Sequence, residues 1–294
     1  MNKKILEIED LRVSFSTTRG ILDAVRGVSF SIGKEKIGIV GESGSGKSTI
    51  GRAILKLSPK SAILKAKKMR FGDVDLLAAG ESQMHTIRGR RISMILQDPK
   101  YSLNPLIRIG DQIIEAYRIH YRVSKKEAWE KTRAMLESVH IRNPEHVMRL
   151  FPHEISGGMG QRVMIAMMLI PEPDLIIADE PTSALDVTVR GQVLTILDEL
   201  VTRSGTGLIF ISHDLNVVAN FCDRVLVMYA GRVLEELSAR DLSHARHPYT
   251  KALLASLPRL DKQVDVLTVP ERDPEWLHGP TFVNGIEGAY HDQL

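Results

Sequence analysis

The chain is poor in the features that would mark a secreted, membrane-spanning or metal-clustered protein. A single cysteine, Cys222, occurs among 294 residues, so one chain can form no internal disulfide and can build no multi-cysteine metal or iron–sulfur site alone. That usage fits a cytosolic setting. No apolar run approaches the ~20 residues that span a bilayer. The longest, Val163 to Ile170, has the length of a buried helix, so any membrane role must pass through a partner. Lys3 and Lys4 are followed by Glu7, Glu9 and Asp10 before an apolar core develops, and no signal peptide is expected. Charge of one sign is scarce as well. The net charge is +3, with Lys+Arg 39 against Asp+Glu 36, too even a balance to argue for nucleic acid. No internal repeat or low-complexity tract is visible. What remains, 43% hydrophobic and 26% charged, is an ordinary globular composition, long enough for one large domain or two.

Against that background one stretch stands out: Gly41-Glu42-Ser43-Gly44-Ser45-Gly46-Lys47-Ser48, followed by Thr49. It matches the phosphate-binding P-loop, and chance would align its constrained positions in roughly one chain in a hundred of this length. Lys36-Ile37-Gly38-Ile39-Val40 before it reads as a short buried strand. Ile50 to Leu57 behind it carries apolar residues at helical spacing and stops before Pro59. Strand, glycine loop and helix form the context that the motif requires. Glycines let the backbone curl through positive φ and aim N–H groups at phosphate oxygens. The helix beginning near Lys47 adds its partial positive end. Lys47 brings a mobile charge to the β- and γ-phosphates, and Ser48 offers a hydroxyl to Mg²⁺. ATP and Mg²⁺ are the expected ligands.

The rest of the chain supplies a scaffold for that loop. Residues 5–40 alternate apolar and polar in short bursts and read as a β-rich lead-in. Phe15 lies on it, where an aromatic face could stack on a purine, although a lone strand aromatic is more often core. Lys60 to Arg70 is basic and reads as a solvated face. Phe71-Gly72-Asp73-Val74 looks like a hairpin turn, and Ile92 to Leu96 a strand ending at Gln97-Asp98-Pro99. From Ile109 to about Leu150 the period becomes helical, with Asn143-Pro144 breaking the run. Alternation of strand and helix then resumes from Asp174 to Tyr229. This predicts an α/β fold: a P-loop nucleotide-hydrolase core with a mostly parallel sheet covered by helices, an N-terminal antiparallel β region, and a helical insertion.

Further stretches carry chemistry. Asp174 to Ala178 is an apolar strand ending in Asp179 and Glu180. Joined to a P-loop, it reads as the second part of a hydrolysis site, with Asp179 toward Mg²⁺ and Glu180 orienting the attacking water. Ile155-Ser156-Gly157-Gly158-Met159-Gly160-Gln161-Arg162 opens a helix expected over Gln161 to Ile170. It is either an ordinary Ser-capped start or a second anion site, which two copies of the chain could lend to one another. Pro181 to Asp186 follows the acidic pair. His213 closes the strand Leu208 to Ser212, at the edge where parallel sheets bind ligands.

In order, Gly41 to Thr49, Gln97, Ser156 to Arg162, Asp174 to Glu180, Ser183 to Asp186 and His213 resemble the nucleotide-binding subunit of an ATP-binding cassette transporter, over roughly residues 5–260. The resemblance implies a cassette over 1–260 with a helical subdomain at about 98–160, before the signature loop, and a C-terminal extension over 261–294. It implies that Phe15 stacks on adenine, that Gln97 joins Ser48 and Asp179 at Mg²⁺ and senses the γ-phosphate, and that His213 is a γ-phosphate switch. Family members pair head to tail, so Ser156, Gly157 and Gly158 of one subunit would close on the Gly41, Glu42, Ser43, Gly44, Ser45, Gly46, Lys47, Ser48 and Thr49 loop of another.

Gln97-Asp98-Pro99-Lys100-Tyr101-Ser102-Leu103-Asn104-Pro105, Ala184 to Val189, and His247-Pro248-Tyr249-Thr250-Lys251-Ala252-Leu253 look like the ATPases of dipeptide, oligopeptide and nickel importers. The implied partners are two integral-membrane permeases, a second ATPase subunit and, indirectly, a substrate-binding protein, with the chain peripheral on the cytoplasmic face of the inner membrane. The signature departs from that branch at Met159-Gly160 and Ile155, which tilts the expectation toward two different ATPases. The tail from Asp261 lacks the branch's cysteines, so no iron–sulfur cluster is expected. A soluble cassette ATPase of translation or DNA repair is the alternative. Against it, the chain has one cassette and no long heptad run. A non-hydrolysing regulator is disfavoured by Asp179, Glu180 and His213.

Overall fold

The computed structural model describes residues 3–18, 20–99, 102–256, 273–283 and 286–288. The chain divides into two units, one of Met1–Ala79 with Ile209–Leu294 and one of Gly80–Leu208.

The first unit opens with the expected β-rich segment. Strands β1 (Leu6–Thr17) and β2 (Gly20–Ile32) form a long antiparallel pair, with Leu6 opposite Ile32 and Phe15 opposite Leu22. Strand β3 (Lys36–Gly41) leads into the glycine loop and helix α1 (Lys47–Ile54). The helix stops earlier than the apolar spacing to Leu57 suggests. Lys56 turns left-handed at φ 50, and its ammonium is held by the carbonyls of Leu77 and Ala79 at 2.8 and 2.7 Å. That tie fixes the chain reversal, and Leu57 is left exposed. Strands β4 (Ala62–Lys65) and β5 (Lys68–Phe71) both pair antiparallel with β1, and β6 (Val74–Asp75) returns on β5 around Gly72, at φ 58. The basic run thus lies on these outer strands. Lys65 and Lys67 are exposed, and Lys68 reaches Glu7 at 2.8 Å, holding that carboxyl below its usual range.

The second unit contains helix α2 (Glu81–Ile87), strand β7 (Ile92–Ile95), helices α3 (Ile109–Arg118), α4 (Lys125–Ser138), α5 (Pro144–Arg149) and α6 (Gly157–Leu169), strand β8 (Leu175–Asp179) and helix α7 (Val187–Ser204). Strands β7 and β8 are parallel and buried, with Ile92 opposite Leu175 and Ile95 opposite Ala178. Asn143-Pro144 does not simply break a helix. Helix α4 has already ended at Val139, with His140 at φ 57, and Pro144 occupies the first turn of α5, where its missing N–H costs nothing. Gln112, almost fully buried, accepts the Asn104 N–H at 2.8 Å and donates to the carbonyls of Asn104 and Ile107 at 3.0 and 2.7 Å. It thereby fixes the segment Asn104 to Ile107 that leads into α3.

The chain then re-enters the first unit through β9 (Gly207–Ser212), α8 (Leu215–Phe221), β10 (Arg224–Tyr229), β11 (Arg232–Ser238), α9 (Pro248–Ala255), β12 (Thr281–Val283) and β13 (Ile286–Gly288). Within it the sheet runs β13-β12-β11-β10-β3-β9. Strands β3 and β10 are parallel, Gly41 lying opposite Met228, whereas β11 returns antiparallel on β10. Ile37, Ile39, Phe210, Ile211, Val225 and Leu226 have no exposed surface. Burying such side chains contributes about 1.5–3 kcal/mol each, which makes β3 a rigid base for the loop.

Candidate functional site

Two features of the fold hold the glycine loop in place. A Cβ at Gly41 would collide with the Met228 carbonyl, and one at Gly46, which has φ 96, with the Ala24 carbonyl. Those two glycines are needed for close approach to neighbouring backbone; at Gly44, at φ 81, conformation alone favours glycine, since the space beside it is open. The Gly231 N–H donates to the Ser45 carbonyl at 3.0 Å, tying the loop to the turn after β10. Helix α1 begins at Gly46 with no side-chain cap and no acidic residue in its first turn. A helix end without a capping side chain or acid suits an anion, and the lysine lies beside it.

Lys47 is 5% exposed. Its ammonium donates to the carbonyls of Gly41 and Glu42 at 2.8 and 2.7 Å and lies 3.5 Å from Ser45 Oγ. The charge is thus held at the base of the loop. Ser43 and Gly44 face solvent, and Ser48 and Thr49 are half-buried in the first turn. Phe15 is half-buried on β1 opposite Leu22 and Ala62, so it is not one of the core aromatics. His213 follows β9, the strand beside β3, and is exposed; the next residue, Asp214, caps α8 by accepting the N–H groups of Asn216 and Val217 at 3.0 and 3.3 Å.

The second unit carries the other predicted residues. Because β7 and β8 run in register, Gln97 and the Asp179-Glu180 pair leave the same edge of one parallel pair. Asp179 is 6% exposed, Glu180 is half-buried and Gln97 is exposed. Glu180 adopts φ 48, a left-handed backbone that a side-chain-bearing residue enters at a cost of about 1–3 kcal/mol. The Ser183 N–H and hydroxyl both donate to the Glu180 carbonyl, at 3.3 and 3.1 Å, and hold it there. Asp186 then caps α7 by accepting the Val189 N–H at 2.9 Å.

Helix α6 starts at Gly157, not at Gln161 as its apolar run suggested. Ser156 caps it by accepting the Met159 N–H at 3.3 Å, so both glycines lie in the first turn. Gly158 is there for packing: a Cβ would come 2.8 Å from Val189 Cγ1 on α7. Gly160 is not demanded in that way, since its Cβ would make ordinary contacts of 3.6 Å with Pro99 and 3.9 Å with Ile155. Gln161, 1% exposed, donates to the Pro181 carbonyl and so joins this helix to the segment behind Glu180. Among the described residues no group of three His, Cys, Asp or Glu side chains could hold a metal ion, and no helix is long and apolar enough to cross a membrane.

One contact was not foreseen. The Glu42 N–H donates to the hydroxyl of Tyr249 at 3.3 Å, a residue 207 positions away. Tyr249 itself sits at a helix start: Pro248 is in the first turn of α9, and His247 Nδ1 accepts the Tyr249 N–H at 3.1 Å. Lys100 and Tyr101, and the cysteine-free tail over 257–272, 284–285 and 289–294, lie outside the described residues.

A lysine held under a glycine loop between a buried strand and an acid-free helix start makes this a P-loop nucleotide-binding protein. A family model described as ABC transporter matches residues 25–183. The chain is 46% identical over 279 residues to the oligopeptide transport ATP-binding protein OppD of Salmonella typhimurium, covering 94% of this chain and 83% of that one. It is 46% identical over 281 residues to the dipeptide transport ATP-binding protein DppD of Bacillus subtilis, covering 95% and 84%. In structure it is similar to a dimeric ATP-binding cassette in a post-hydrolysis state bound to ADP and Pi, with a TM-score of 0.71, 25% identity, and coverage of 80% of this chain and 99% of that one. The chain belongs to the ABC transporter family and is an ATPase of that family.

Proposed function

We propose that the chain energises uptake of peptides or a related small solute, as an ATP-hydrolysing subunit beneath two permeases on the cytoplasmic face of the membrane. The observation that carries this reading is its 46% identity, over 94% of its length, to an oligopeptide transport ATP-binding protein.

Each residue has a part in the proposed cycle. Phe15 offers an aromatic face to the adenine. The loop amides and Lys47 bind the phosphates, and the carbonyls of Gly41 and Glu42 keep the ammonium from swinging away. Ser48, Gln97 and Asp179 are the residues that would hold Mg²⁺, which when bound would supply positive charge against the phosphates. These are oxygen donors throughout, the ligand type that suits a hard cation. Glu180 accepts a hydrogen bond from the attacking water, orienting and polarising it, while His213 responds to the γ-phosphate. Ser156, Gly157 and Gly158 supply an anion-seeking helix start to the nucleotide of a second ATPase subunit, a different chain in the pairing favoured here. Gly160 leaves that start intact, since Ser156 still caps the helix by accepting the Met159 N–H at 3.3 Å.

Affinity purification from detergent-solubilised membranes tests this assignment. Two polytopic membrane proteins and a second ATPase are expected to co-purify; ribosomes or DNA in their place would refute it. A peptide bound to the cognate binding protein would identify the cargo class.

A further inference from the structure

The Gly41–Glu42 peptide is grasped from both sides. Its carbonyl, that of Gly41, accepts from the Lys47 ammonium at 2.8 Å, and its N–H, that of Glu42, donates to the Tyr249 hydroxyl at 3.3 Å. Tyr249 is fully buried, and its ring packs against Tyr229 at 4.9 Å and Trp276 at 5.3 Å, with Tyr229 and Trp276 edge to face at 5.6 Å. Tyr229 closes β10, the strand whose Met228 lies opposite Gly41. Trp276 comes from the C-terminal segment. The buried guanidinium of Arg232 docks that segment by donating to the carbonyls of Trp276 and Gly279 at 3.3 and 2.9 Å. Glu235 fixes the other side by accepting the N–H groups of Arg246 and His247 at 2.6 and 3.3 Å. A continuous set of contacts therefore runs from the C-terminal segment through one phenol to the peptide that holds the phosphate-binding lysine.

We infer that Tyr249 is a positioning residue for the phosphate loop, and that the packing of Trp276 against it tunes nucleotide affinity. The phenol does not meet the nucleotide. It holds the Gly41–Glu42 peptide in the orientation that presents the Gly41 carbonyl to Lys47, so loss of the hydroxyl loosens the charge that grips the phosphates. Because coupling between two sites is reciprocal, nucleotide at the loop must also bias the packing of Trp276. The inference rests on the reading of Gly41 to Ser48 as the nucleotide site.

The test compares the full-length wild type, Tyr249→Phe and Tyr229→Phe, using titration with a fluorescent ATP analogue, KM and kcat for ATP, and melting temperature. Tyr249→Phe removes one oxygen and keeps the ring. It is expected to weaken binding and raise KM about fivefold, as loss of one ordinary hydrogen bond does, with kcat within twofold and the melting temperature nearly unchanged. Tyr229→Phe is expected to bind like wild type. In a Trp129→Phe background Trp276 is the one tryptophan left of two. Its emission is expected to shift on adding ATP, and the shift to shrink in Tyr249→Phe. Unchanged affinity in Tyr249→Phe overturns the inference, as does a fall in kcat and melting temperature without a rise in KM, which marks a merely structural role. Wild-type affinity retained in Lys47→Ala would instead overturn the nucleotide-site reading.

Discussion

The glycine loop of the first unit and the α6 start of the second are both helix N-termini suited to anions, yet they are built in opposite ways. At the loop, no side chain caps α1 and the lysine is buried, braced by two carbonyls of its own loop and, at one remove, by Tyr249. At α6, Ser156 satisfies the helix start itself, and both Ser156 and Gly157 are exposed. The loop is ready to grip an anion unaided. The α6 start has no lysine behind it, and Gly158 serves the contact with Val189. The difference teaches that the loop carries its own anion-binding charge and α6 does not, which is the division expected on the proposed reading, with α6 closing a site that another subunit would hold.

The largest effect that can break this contrast is at the lysine. Lys47→Ala is expected to abolish nucleotide binding, at least a hundredfold loss in a fluorescent-analogue titration, because a buried charge made for phosphate is removed. Ser156→Ala is expected to leave binding by the isolated chain within twofold. Next is the left-handed carboxylate: Glu180→Gln is expected to bind ATP normally and turn it over at least tenfold more slowly in a phosphate-release assay, and wild-type turnover would remove Glu180 from the mechanism. Gly158→Ala sharpens the packing side. It is expected to cost about 1–3 kcal/mol in denaturant unfolding, and Val189→Ala added to it to restore most of that loss.

The smallest effect depends on pH. Burial, aided by Arg232 and opposed by Glu235, holds His247 below the ordinary imidazole range. The folded state therefore keeps it neutral where the unfolded chain takes up a proton. Its stabilisation is complete above about pH 6.5 and is lost as pH falls through the lower folded value. Protonation at Nδ1 would also remove the cap on Tyr249. The gap in melting temperature between wild type and His247→Asn is expected to narrow between pH 7 and pH 5.

Much of the site was legible because each part is local. The P-loop, the strand ending in Asp179-Glu180 and the cap at Ser156 are each specified by residues within a few positions of one another, and strand period and helix period placed them on the correct elements. What sequence could not show is long-range. Nothing in the neighbourhood of Tyr249 announces Glu42, and Gln112 gives no sign that it will hold the Asn104 loop. Strand β11 and helix α2 also escaped notice. Helix limits failed at Lys56, where a tertiary contact decides them, and at Gly157, where a capping serine outweighs two residues of low helix propensity.

The central claim, that the loop holds nucleotide and α6 of another subunit completes it, is tested most directly by sedimentation of the Glu180→Gln chain with Mg-ATP, alone and mixed with the ATPase that co-purifies with it. An ATP-dependent doubling of mass in the mixture is expected. Sedimentation as single chains in both samples, with ATP bound, would contradict the claim.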